Sequence, residues 1–292
     1  MSLLRNTIHK ANIGFNTLFN KVFAETETNY EKVATIVPST GATESYQWLG
    51  TLPKLRQWVG DRIIRNISNY EYTIKNKPFE ATMSIDKYDM EDDKLGIYKP
   101  QVESLAEAAK QFPDELVFKI LEDGFENKCY DGVAFFGTHK VGKLNFKNMF
   151  EKALSIESYS EARASMMKIK DDEGRSLKIM PKLLVVPPAL ESKAREILKS
   201  DFINGTTNIY KDTAELLVVP DLTSDTAWYL LDTSKAIKPI IFQKRQDPQL
   251  VSLVDEKDRN VFMNRQYLYG VDMRCNAGYG FWQMAFGSKG TA

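Results

Sequence analysis

Near the N-terminus, Phe15, Leu18, Phe19, Val22 and Phe23 recur at steps of three and four, which predicts a short amphipathic helix with one apolar stripe. That stripe must be covered by the same chain or by a neighbour. From Tyr46 to Ile85 the pattern turns to alternation. Tyr70, Tyr72 and Ile74 form one run; Phe79, Ala81, Met83 and Ile85 form another after Asn76-Lys77-Pro78, and each reads as a half-buried strand. Ahead of them, Trp48, Leu49, Leu52, Leu55, Trp58 and Val59 stand among Gly50, Pro53 and Gly60. This stretch is more apolar than a surface loop. It either packs on its own core or forms an arm that lies on another subunit.

Lys99 to Phe125 reads as a long helix, because Val102, Leu105, Ala109, Phe112, Leu116 and Ile120 keep one face of a 3.6-residue period. Pro113 lies inside that run, at a cost of about 3 kcal/mol in an ideal helix interior. The apolar face keeps its phase across the proline, so one kinked helix, or two nearly collinear ones, is expected, ending at Gly124. Ser158 and Glu161 have capping-box spacing before a helix that stops near Gly174. Lys182–Val186 predicts a buried strand and Pro188–Lys199 a helix with proline in its first turn. Leu216–Val219, Trp228–Leu231 and Pro239–Gln243 predict further short strands, and Phe262–Phe286 is aromatic and β-prone. The reading is a mixed α+β protein with one protruding β arm.

Composition adds limits. The chain has 292 residues, 43% apolar and 27% charged, enough for about two domains at ~150 residues each and unlike a disordered chain. No apolar run approaches the ~18 residues that span a bilayer, and Met1 to Ile13 has no signal-peptide apolar core, so a soluble, intracellularly made protein is expected. Lysine plus arginine and aspartate plus glutamate both number 39, without the basic excess of a protein that binds nucleic acid through phosphates. Charge is unevenly placed: the net is +3 from Met1 to Arg65 and −8 from Glu80 to Glu126. Such asymmetry suits a solvated face, or contacts between copies of a self-associating subunit.

Candidate chemistry is sparse. Cys129 precedes His139, one of two histidines, by ten residues, a spacing that does not establish a nucleophile–base pair. Neither a close cysteine pair nor a close histidine pair of zinc-finger type occurs. Asp86, Asp89, Glu91, Asp92 and Asp93 lack the glycine turn and closing glutamate of an EF-hand. Gly278-Tyr279-Gly280 is not a dinucleotide loop, and no phosphate-binding loop occurs. Two cysteines are too few for a disulfide framework and suggest a reducing compartment. No catalytic, cofactor or metal residue is therefore assigned, and association remains as the expected business of the chain.

Several stretches, taken together, resemble the Mu-like phage major head subunit family. They are ATIVPSTGATESYQWLG (Ala34–Gly50), WVGDR (Trp58–Arg62), YTIKNKPFEATMSIDKYDMEDDKLGIYKP (Tyr72–Pro100), PDELVFKILEDGF (Pro113–Phe125), CYDGVAFFGTHK (Cys129–Lys140), LLVVPPALE (Leu183–Glu191) and YGVDMRCNAGYGFWQMAFGS (Tyr269–Ser288). The resemblance implies the HK97-type capsid fold. In its terms residues 1–44 are the N-terminal arm and 45–85 the extended β E-loop. Residues 86–149 open the peripheral domain with its spine helix over 99–125, 150–238 form the axial domain, and 239–292 return to the peripheral domain.

The function so implied is a major capsid protein of a tailed phage or prophage, forming hexamers and pentamers of an icosahedral shell around double-stranded DNA bound without sequence specificity. Its implied partners are itself, a scaffold protein and a maturation protease during assembly, a portal protein and decoration proteins, with no membrane. The implied location is the virion capsid, assembled in the bacterial host cytoplasm. An encapsulin-like nanocompartment shell is the alternative within the fold, and a cytosolic metal-dependent hydrolase the alternative outside it. Intersubunit contacts are expected at Trp48, Leu49, Lys54, Leu55, Arg56, Trp58, Arg62 and Arg65, facing Asp89, Asp92, Asp93, Glu103 and Glu107 of the next copy.

Overall fold

In the structure, a computed structural model, residues 2–47, 49, 72–92, 94–171, 174–203 and 205–290 are described. The chain forms two units, each from three stretches. The first comprises Met1–Asn29, Asn76–Asp114 and Lys244–Asn276, and the second Tyr30–Lys75, Glu115–Gln243 and Ala277–Ala292.

The first unit is built on the N-terminal apolar stripe. Its helix, Ser2–Glu25, is longer than the stripe predicts and turns Ile8, Ala11, Phe15 and Phe19 inward. What covers them is this same chain. Phe15 meets Tyr269 edge-on at 5.3 Å, and the Tyr269 hydroxyl donates to Asn12 Oδ1 at 2.5 Å. Ile85, Met90, Val102, Ala106, Val261, Tyr267 and Val271 complete the core. The sheet beneath it pairs Lys77–Asp86 antiparallel with Gln266–Tyr279, in register from Gln266↔Asp86 to Cys275↔Lys77. Along the second strand Tyr267, Tyr269, Val271, Met273 and Cys275 are buried and the residues between them are not, the period of two expected of a one-sided strand.

The long helix spans Lys99–Glu122, with a 3₁₀ turn over Asp123–Phe125, and keeps Pro113 in its interior. Val102, Ala106 and Ala109 precede the proline on the buried face, and Val117, Phe118 and Leu121 follow it. Proline removes one ladder donor, but the apolar phase on both sides holds the helix together. The neighbouring Asp114 is buried and accepts the Asn29 amide at 3.0 Å on each oxygen.

The second unit centres on five strands in the order Glu215–Val218, Leu183–Val186, Trp228–Leu231, Ala285–Ser288, Met149–Phe150. The first and last pairings are parallel and the two between are antiparallel. Leu183–Val186 and Trp228–Leu231 are buried at every position, as central strands covered on both faces are. Helix Glu191–Lys199 packs Ala194, Ile197 and Leu198 inward.

Three local expectations are corrected. The helix expected from Ser158 starts at Ile156, capped by Ser155, whose hydroxyl accepts the Ser158 amide at 3.1 Å while Ser158 Oγ accepts the Ser155 amide at 2.9 Å. Serine replaces the glutamate of the usual box, and Glu161 instead pairs with Lys152. The same helix ends at Met167, well before Gly174. The β-prone tail opens on a short helix, Arg259–Asn264, closed by Arg265 at φ 57°.

Substitutions of two glycines and one aromatic separate these features by the urea midpoint of the purified subunit. A Cβ at Gly280 would lie 2.6 Å from the Lys238 carbonyl oxygen, so Gly280→Ala lowers stability by about 1–3 kcal/mol. Nothing lies within 4 Å of a Cβ at helical Gly14, so Gly14→Ala raises it by roughly 0.5–1 kcal/mol. Phe15→Ala costs about 3–5 kcal/mol.

Candidate intersubunit surfaces

The described residues on either side of the apolar stretch meet in the second unit. Thr43–Ser45 pairs antiparallel with Thr73–Lys75, and beyond that ladder the Tyr46 amide donates to the Tyr72 carbonyl at 2.7 Å. Three side chains fix this root. The Tyr46 hydroxyl donates to Gln243 Oε1 at 2.8 Å, Gln243 Nε2 donates to the Ile74 carbonyl at 3.1 Å, and the Tyr72 hydroxyl accepts the Tyr279 amide at 2.7 Å. Glycine at position 278 leaves room for this approach, since a Cβ there would lie 2.4 Å from Ile74 Cδ1 and displace that side chain. Burial pushes both phenols up to about 12, with the charge of Glu44 adding to the shift at Tyr46, so both stay neutral hydrogen-bonding groups.

Of the expected contact residues, Trp48, Lys54, Leu55, Arg56, Trp58, Arg62, Arg65 and Asp93 lie outside the described residues. Leu49 is fully buried within its own chain, and its amide donates to the Tyr46 carbonyl at 3.2 Å. Asp89 is half-buried and accepts the Tyr98 hydroxyl at 2.6 Å, a bond that raises the Tyr98 pKa. Asp92 and Glu107 are exposed, and Glu103 is half-buried on the long helix.

Several features have no counterpart in the sequence reading. A cleft of about 690 Å³ in the second unit gathers the carboxylates of Glu115, Glu122, Asp123, Glu126 and Asp221, with Lys119 and Lys289 at its edge. Glu122 spends its carboxylate on the loop opposite, accepting from the Thr223 amide and hydroxyl and the Ser224 amide at 2.8–3.3 Å. Tyr229 lines the same cleft with its hydroxyl buried and unbonded; burial, with the charges of Glu122 and Asp123, pushes its pKa far up. Phe202 and Ile209 project from the second unit, and Val251, Leu253, Phe262 and Met263 from the first, each more than half exposed. Phe262 and Met263 were hidden to pattern reading because their helix is six residues long.

Cys129 and His139, ten residues apart, are brought together through Asp131. Cys129 Sγ donates to Asp131 Oδ1 at 3.1 Å, and Asp131 Oδ2 lies 2.6 Å from His139 Nδ1. Burial pushes the cysteine well above its ordinary range, and the charge of Asp131 adds to it, which favours the protonated thiol. Burial also works to raise the Asp131 carboxyl, but the hydrogen bond and charge of His139 outweigh it and hold it below the usual carboxylate value.

Leu49→Ala is expected to lower the stability of the isolated subunit by about 2–5 kcal/mol, read from its denaturation midpoint, because the residue is buried in its own chain.

The chain matches the family described as Mu-like prophage major head subunit gpT over residues 8–153, 144–222 and 221–292. It is 35% identical over 279 residues to the Mu-like prophage FluMu major head subunit of Haemophilus influenzae, across 95% of this chain and 71% of that one. It is also 35% identical over 263 residues to the major capsid protein of Escherichia phage Mu, across 90% and 67%. Among solved structures it resembles the subunit of the bacteriophage JBD30 procapsid, with a TM-score of 0.62 and 33% identity over 96% of this chain and 74% of that one.

Proposed function

The chain belongs to the Mu-like prophage major head subunit family, and from that premise we propose how its parts build a shell. It is a major capsid protein with the HK97-type fold, a structural component of the phage head. Copies of it associate into the capsid wall. The observation that carries this is the match of nearly the whole chain, at about a third identity, to head subunits by sequence and to a procapsid subunit by structure. The same match favours a head subunit over a nanocompartment shell or a hydrolase.

The finer reading assigns residues 1–44 to an N-terminal arm, 45–85 to the E-loop, 86–149 and 239–292 to a peripheral domain, and 150–238 to an axial domain. Hexamers and pentamers of the subunit close an icosahedral shell around double-stranded DNA. The balanced charge of the chain supports confinement of DNA by the wall in place of adhesion to it. A scaffold, a maturation protease, a portal and decoration proteins act with it during assembly in the host cytoplasm. The subunit itself performs no catalysis.

Contact between copies runs through the E-loop. Supporting this, residues 46 and 72 meet at one hydrogen-bonded root, which brings the two ends of the apolar stretch together. That stretch carries Trp48, Leu55 and Trp58, each worth ~1.5–3 kcal/mol when fully buried, and the cations Lys54, Arg56, Arg62 and Arg65. On the next copy, Asp89, Asp92, Asp93, Glu103 and Glu107 receive those cations. Individual exposed pairs contribute ~0–1 kcal/mol and act mainly on register.

Microscopy, two substitutions and salt test this. Negative-stain microscopy of the chain expressed with its neighbouring genes is expected to show closed shells; a monodisperse subunit that never assembles would refute the reading. Trp58→Ala is expected to keep the subunit's denaturation midpoint and reduce the assembled fraction. Arg56→Glu, and salt above ~0.5 M where screening lengths fall to a few ångströms, are expected to slow assembly or misshape the shells. Normal shells from Trp58→Ala and Arg56→Glu would remove the E-loop from the contact.

A further inference from the structure

The shell function makes no use of Cys129, Asp131 and His139, which converge in the second unit with their ligand-capable atoms all within 4.8 Å of one another. A tight turn holds the first two: the Gly132 amide donates to the Cys129 carbonyl at 3.0 Å, the Cys129 amide to the Val133 carbonyl at 2.8 Å, and the Val133 amide to Asp131 Oδ1 at 3.1 Å. His139 arrives on the strand Thr138–Val141. Its ring is wholly buried and lies flat on Trp282, with centroids 4.0 Å apart and planes 6° from parallel.

The surroundings of the histidine fix its hydrogens. Nε2 faces the Phe135 carbonyl at 3.2 Å, and a carbonyl only accepts, so Nε2 carries a hydrogen. Nδ1 then stands 2.6 Å from the carboxylate oxygen of Asp131. A nitrogen lone pair and a carboxylate oxygen face each other at that distance only with a positive charge to share. A proton or a metal ion can supply that charge, and the thiol lies beside the other carboxylate oxygen, donating to it at 3.1 Å. Cys129 Sγ adds a soft donor, and the three donors together are the mixed S, N, O set that zinc-class ions take. The second shell is also in place. An imidazole that donates Nε2–H to a backbone carbonyl presents Nδ1 as a ligand, and that carbonyl is held in turn by Asn148 Nδ2 at 2.9 Å.

We propose that Cys129 Sγ, one carboxylate oxygen of Asp131 and His139 Nδ1 form a binding site for a divalent transition ion of the zinc class, with water as the fourth ligand. Donors stand ~2.0–2.3 Å from such an ion and therefore roughly 3–4 Å from one another. The 3.1 Å separation of Sγ and Oδ1 is already in that range. The Nδ1–Oδ2 contact opens by rotation of Asp131, whose side chain keeps 13% of its surface exposed and gives the ion its route from solvent. Binding releases two protons, one from the thiol and one shared between His139 and Asp131. The bound ion would fasten the turn at Cys129–Gly132 to the strand that carries His139.

The test uses full-length subunit, reduced and stripped with a chelator, titrated with cobalt(II) as the probe. A thiolate-to-cobalt charge-transfer band is expected to saturate at one ion per chain and to be erased by added zinc. Cys129→Ser abolishes the band and Cys275→Ser retains it, both checked for folding by circular dichroism. Zinc is expected to raise the thermal midpoint of the parent and not that of Cys129→Ser. If Cys129→Ser does not fold, Asp131→Asn takes its place, with at least ~10-fold weaker cobalt affinity expected. A folded parent without the band, a band that persists in Cys129→Ser, or unchanged affinity in Asp131→Asn would each overturn the site. Because the readout is metal binding by the subunit, it is independent of whether shells form.

Discussion

The first unit depends on covering one apolar stripe. Helix Ser2–Glu25 turns Phe15 and Phe19 to one side, and a single helix in water has no means of burying them alone. The cover comes from Tyr267, Tyr269 and Val271, which lie near the other end of the chain, on a strand held in register by Lys77–Asp86. Given that requirement, the rest of the unit follows. The helix from Lys99 must offer Val102, Ala106 and Ala109 to the same core, and the short helix at Arg259 must offer Val261. Polar partners join the same unit, as with Asn12 and the Tyr269 hydroxyl and with buried Asp114 and the Asn29 amide.

How much of this was legible depended on whether a residue's fate is set by its near neighbours in sequence. The long helix could be read because its period persists through twenty-four residues, so one proline could not erase it. The strands Lys77–Asp86 and Leu183–Val186 could be read for the same reason, one by alternation and one by an unbroken apolar run. The N-terminal stripe was legible as a stripe, but nothing in it named Tyr269 as its cover. The cap at Ser155 was missed because serine stood where a glutamate is usual, and the helix at Arg259 because six residues hold less than two turns of pattern.

The surfaces were less legible than the core. The acidic run Asp86–Asp93 is conspicuous in one dimension, yet the acidic concavity of the second unit joins Glu115–Glu126 to Asp221, about a hundred residues on. The spacing of Cys129 and His139 left their contact open. It is decided by the turn at Gly132 and by Asp131 between them. Resemblance to head subunits supplied what pattern could not, the identity of the assembly, and it did so through stretches such as CYDGVAFFGTHK whose local physics is that of packing.

The ladder between Lys77–Asp86 and Gln266–Tyr279 also sets a clock. Its two strands are separated by nearly two hundred residues, a span the ribosome needs roughly 10–40 s to add. Throughout that interval the helix bearing Phe15 and Phe19 and the strand Lys77–Asp86 have been made while the strand that covers and pairs them has not. A pairing so distant in sequence closes late, with an apolar stripe and an open strand edge exposed during synthesis. Where many copies are made at once, each nascent subunit passes through this window beside others in the same condition, so the period most hazardous for aggregation precedes the finished subunit.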